Sequence, residues 1–102
     1  MILELFALLL AATTAVSVVI VLILTFLEIV DWFTDRNDLK LEDEDNIAFT
    51  LQEKLETGDY KTVQGIFNKR TNTLKDARKV QSNKIDKELK SLHKDNEIVI
   101  YE

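Results

Sequence analysis

The one histidine of the chain, His93, stands near Ser91, Asp95 and Glu97. These are the residue types of a nucleophile–base–acid relay. Their spacing argues against one. Residues two apart on a helix do not face each other, and such relays are assembled from distant parts of a chain. His93 therefore reads as an exposed residue at a helix C-terminus, where Lys90 and Lys94 also suit the helix dipole. Glu42-Asp43-Glu44-Asp45 is the other dense group of carboxylates. A calcium loop needs alternating oxygen ligands, a central Gly and a terminal Glu at fixed spacing, and this run has no such Gly. Gly58 and Gly65 form no phosphate-binding loop. The absence of Cys removes thiolate nucleophiles, thiolate metal sites and disulfides. The sequence thus offers no catalytic residue, no cofactor-binding residue and no metal site, and the chain reads as non-enzymatic with no cofactor.

The stretch that dominates the elements is Leu5 to Leu27, LFALLLAATTAVSVVIVLILTFL, with no charge, Pro or Gly in 23 residues. As a helix it would cover about 34 Å, against a hydrocarbon core of about 30 Å. This predicts a single N-terminal transmembrane helix. A cleaved signal peptide would want a basic n-region and a shorter apolar core. Here Met1-Ile2-Leu3-Glu4 precedes the run. All 13 Lys and Arg lie after it, so the positive-inside rule places the N-terminus outside and the C-terminal domain in the cytoplasm. Trp32 and Phe33 then fall where a membrane-interface aromatic belt belongs.

Residues 1–34 are accordingly read as the membrane helix with its interfacial end, 35–45 as an acidic connector, and 46–102 as a small cytoplasmic α+β domain. In that domain Ile47, Ala48, Leu51 and Leu55 share a helical face over about Asn46 to Thr57, with Gly58 as the stop. Tyr60 to Asn68 is strand-like, Lys69 to Asn72 a hairpin turn, and Thr73 to Gln81 a returning strand. Ser82 or Asn83 caps a second helix, Lys84 to His93, and Ile98-Val99-Ile100-Tyr101 forms a last strand. The predicted fold class is α+β: one transmembrane helix, then an α-β-β-α-β domain with a short antiparallel sheet. The candidate core is Ile47, Leu51, Leu55, Val63, Phe67, Val80, Ile85, Leu89, Leu92, Ile98 and Ile100.

Interaction features stand out more than chemistry. Ala7, Ala11 and Ala15 recur every four residues, with Thr14 beside them and Val18 extending the face, a pattern that permits close helix–helix packing. Ile98, Val99, Ile100 and Tyr101 form a candidate edge strand able to extend a partner's sheet. The net charge of −5 argues against nucleic acid. The expected function is that of a single-pass membrane accessory protein: a small subunit, assembly factor or adaptor. Its partners would be the lipid bilayer and a larger membrane protein complex, with a homo-oligomer as a further possibility. The alternative is a self-assembling membrane effector, holin-like or pore-forming.

Overall fold

The structure, a computed structural model, describes residue 16 and residues 18–101. The chain runs β1 (Val18–Leu24), α1 (Phe26–Thr34), α2 (Asn37–Leu41), β2 (Asn46–Lys54), β3 (Tyr60–Asn68), β4 (Thr73–Ile85), α3 (Lys87–Leu92) and β5 (Ile98–Tyr101). The five strands form one mixed sheet in the order β1-β4-β3-β2-β5. The β2, β3 and β4 strands make an antiparallel meander, β5 adds antiparallel to β2, and β1 lies parallel to β4.

This overturns the predicted fold class. The described chain is a sheet-dominated domain, 49% strand and 24% helix, and its sheet has five strands of mixed direction in place of a short antiparallel one. Among the described residues no helix is long and apolar enough to cross a membrane. The second half of the predicted span is strand β1, followed at Thr25 by the start of a new element. Two local signals explain why. Val18–Leu24, VVIVLIL, is dominated by β-branched residues, and a strand paired in parallel reads as a continuous apolar run with no alternation. Hydropathy cannot distinguish that from a membrane helix. The Thr25 hydroxyl then accepts from the Glu28 N–H at 3.2 Å while the Glu28 carboxylate accepts from the Thr25 N–H at 3.5 Å. That capping box starts a helix inside the apolar run. α1 has nine residues and spans about 14 Å, half a hydrocarbon core. The membrane and single-pass assignments, and the placement of a cytoplasmic domain behind an outside N-terminus, rested on the long helix and fall with it.

The predicted helix from Asn46 is strand β2. Ile47, Phe49 and Leu51 alternate onto one face, and Phe49, which the helical stripe leaves out, is 0% exposed. The predicted connector holds α2. The second helix is shorter than its apolar spacing suggested, because β4 continues to Ile85 and Asp86 is its N-cap.

The sheet carries an apolar cluster on each face. Phe49, Leu51, Val63 and Phe67, with Ile47, Leu74 and Ile98, fill one side. Leu24, Ile29, Val80, Ile85 and Leu89, with Val21, Phe33, Tyr60 and Tyr101, join the helices to the other. Leu92 and Ile100, expected in the core, are 37% and 47% exposed.

Asp86 secures both helices at once. Its Oδ1 accepts from the Leu89 N–H at 3.0 Å and caps α3, while its Oδ2 accepts from the Phe26 N–H at 2.9 Å in the first turn of α1. The two helix starts thus share one carboxylate, set there by the parallel pairing of β1 with β4.

Candidate functional site

The face of the sheet beneath the helices is unusually polar for an interior. Register places Asn46 opposite Asn68, Thr50 opposite Gln64, and Gln52 opposite Thr62. All six are buried. Each buried polar group needs a partner, since an unpaired one costs about 1–3 kcal/mol. Asn68 Nδ2 donates to Asn46 Oδ1 at 2.9 Å, and Gln52 Nε2 donates to Thr62 Oγ1 at 3.1 Å. Gln64 uses both ends of its amide. Its Nε2 donates to the Ile29 carbonyl at 2.7 Å, and its Oε1 accepts from Arg78 Nε at 2.8 Å. Arg36 pairs with Asp76 at 2.7 Å and lies 3.8 Å above the centre of the Trp32 ring. The Gln64–Ile29 bond and the Arg36 contacts clamp α1 onto the sheet. They are directional, so they fix where α1 sits as well as holding it.

Thr50, like Gln64 opposite it, bonds to groups outside the β2–β3 pair. Its Oγ1 is 2.8 Å from His93 Nε2 and 2.7 Å from the Tyr101 hydroxyl. His93 Nδ1 is 2.9 Å from the Asn96 carbonyl oxygen. A carbonyl only accepts, so Nδ1 carries the proton of the neutral ring. Nε2 then accepts from the Thr50 hydroxyl, which in turn accepts from Tyr101. The chain has one direction, Tyr101 to Thr50 to His93 to the Asn96 carbonyl. Burial holds the His93 imidazole below its ordinary range, against the opposing pull of the Asn96 and Glu97 carbonyls. Burial also pushes the Tyr101 phenol up, more than Thr50 lowers it. Both shifts favour the neutral forms this chain requires.

The chain connects two clefts. One, of about 520 Å³, is lined by His93 together with Gln52, Lys54, Tyr60, Lys90, Lys94, Asp95 and Glu97. The other, of about 390 Å³, lies between α1, α2 and the β2–β5 pair, and Tyr101 is in its wall. Thr50 is 0% exposed and meets neither solvent nor substrate, so it serves as a link and is unavailable as a nucleophile.

The acidic stretch before β2 is held by Arg70, whose guanidinium binds Asp43 and, at 3.3 Å, Asp45. The Asp45 N–H and then Arg70 hold the Asp43 carboxyl below the usual carboxylate range. Among the described residues no group of three or more His, Asp or Glu side chains could hold a metal ion.

The structure distributes the sequence-derived candidates widely. Ala7, Ala11, Thr14 and Ala15 lie outside the described residues, and Val18 opens β1. Trp32 is 9% exposed beneath Arg36, and the Phe33 ring lies 5.3 Å from that of Tyr101, tilted by 49°. Ile98, Val99, Ile100 and Tyr101 form β5, the outermost strand beside β2. Thr50 was missed, and so was the coupling of His93 to Tyr101. The available signal was the alternation of Thr and Gln through Thr50, Gln52, Thr62 and Gln64. No known protein family, characterised protein or solved structure matches the chain.

Proposed function

We propose that this chain is a non-catalytic docking module that adds the outer edge of β1 to an apolar strand of a partner protein. The observation that supports this is the exposure of β1 itself. Val18, Val19, Ile20, Leu22 and Ile23 are 47%, 52%, 76%, 80% and 45% exposed, and the strand carries no charge. Edge strands are normally protected by lysine, proline, a bulge or shortness, because their free N–H and C=O groups template further pairing. β1 has seven residues and none of those devices. Its composition is that of a strand covered on both faces. A strand added along its outer side would satisfy its backbone and shield Ile20 and Leu22 together, since both point to the same side of the sheet.

The test is Ile20→Lys combined with Leu22→Lys. Both side chains are largely in solvent, so folding should be unchanged by circular dichroism. Sedimentation over a range of concentrations reads self-pairing, and native co-purification reads pairing with another protein. The docking reading expects the double variant to abolish whichever association the wild-type chain shows. Equal behaviour of the two proteins in both measurements would sink it.

A further inference from the structure

The cleft beside Tyr101 has a composition that folding does not explain. Leu41 is 72% exposed and Val30 39% exposed, and both line it with Phe33 and Ala48. Of its described lining residues Lys40 alone is charged, and Thr34, Asn37 and Tyr101 are its neutral polar members. At about 390 Å³ it falls within the range of small-ligand pockets, roughly 300–1,000 Å³. A wall of Val30, Phe33, Leu41 and Ala48 with one cation and a few neutral polar groups is complementary to an amphipathic anion.

The bond chain behind Tyr101 adds a control. With His93 neutral, the Tyr101 proton is committed to Thr50, and its oxygen can offer only lone pairs to another group. A protonated His93 donates from both ring nitrogens. Thr50 Oγ1 must then accept from Nε2, and its single proton turns toward the Tyr101 oxygen. The Tyr101 proton is thereby released into the cleft. Protonating one ring converts a hydroxyl in the other cleft from acceptor to donor, with no movement of the backbone. The charged groups around His93 are Lys90 and Lys94 from α3 and its exit, Lys54 from β2, and Asp95 and Glu97 before β5. Among the described residues the Tyr60 phenol is the remaining titratable group on that cleft.

We propose that the cleft between α1, α2 and the β2–β5 pair binds a small amphipathic anion. Its apolar part lies on Val30, Phe33 and Leu41 and its head at Lys40 and Tyr101, and His93, acting through Thr50, sets how well that head is held. An anion prefers a donor, so the bound ligand and the protonated ring favour each other, and linkage makes the effect reciprocal.

The probe is 1-hexanesulfonate, which stays ionised throughout the pH range used. Titration followed by amide NMR should shift Val30, Thr34, Leu41 and Ala48. Affinity should be about fivefold tighter below the His93 midpoint than above it. The single His93 ring should titrate at higher pH with the probe bound. Thr50→Val should keep binding and lose both pH effects, Tyr101→Phe should weaken binding chiefly at low pH, and His93→Gln should bind equally at all pH values. The His93 variant keeps the question answerable if Thr50→Val fails to fold. The proposal is overturned if the cleft amides do not respond to the probe. It is equally overturned if His93 titrates identically with and without it.

Discussion

A Cβ at Gly65 would stand 2.8 Å from the Asp76 carbonyl oxygen and 2.9 Å from the Phe49 ring. The ring could turn, but the carbonyl belongs to the β3–β4 ladder and cannot move without breaking it. Glycine is present here because Phe49, its cross-strand partner, fills the space a side chain would take. Gly65→Ala is therefore expected to lose about 2 kcal/mol, read from urea unfolding with an unchanged slope. His93 gives a second measurement at this scale. Its native pKa lies below the ordinary 6.5, so the unfolded chain binds more protons just below that value. The contribution of the neutral ring is complete above 6.5 and is lost as pH falls through that value toward the native midpoint. His93→Gln should flatten this limb of the stability–pH curve. A wild-type curve that is already flat there would show that the ring is not held neutral. The three residues of its chain come from β2, the end of α3 and β5, 43 and 51 positions apart, which is why no local spacing revealed them.

Elements were legible where period and breakers agreed. Tyr60–Asn68 is a strand with the limits its alternation suggests, and the Lys69 to Asn72 turn follows it, with Asn72 at φ 55°. β2 was not legible, because Ile47, Ala48, Leu51 and Leu55 fit a helical stripe while Ile47, Phe49 and Leu51 fit a strand. The sheet decided between them: Phe49 as a strand residue covers Gly65, and Thr50 and Gln52 then face the polar layer. Asp86 was passed over as a cap because Ser82 and Asn83 precede it with the same chemistry, and both lie in β4. Its role in two helices is testable. Asp86→Ala removes an acceptor from the Phe26 N–H and another from the Leu89 N–H, so it should cost about 2–3 kcal/mol, more than a single cap. Asp86→Asn keeps one acceptor oxygen and should cost less. A loss no greater than that of Thr25→Ala, which removes the hydroxyl that caps α1 alone, would mean that only one of the two bonds matters.

At the scale of the whole molecule the sheet is uneven in what holds each strand. β3 is central, and its last seven residues are all buried. Among the described residues β1 pairs on one side only; it exposes most of its side chains and lies parallel to a strand that begins some fifty residues later in the chain. Its pairing therefore closes a long loop, and the apolar surface it buries in return is small. The meander of β2, β3 and β4 is made of neighbours in sequence and needs no such closure. Local opening follows the least-buried unit first. Native-state hydrogen exchange should place β3 amides at the global unfolding limit and β1 amides at a distinctly lower free energy. A strand that opens on its own is also one whose apolar surface is available to a partner at low cost. Ile20→Lys with Leu22→Lys should leave β3 protection unaltered, since neither side chain touches the meander's core. Protection of β1 equal to that of β3 in the isolated chain would mean that the edge is already satisfied, and the docking proposal would fail with it.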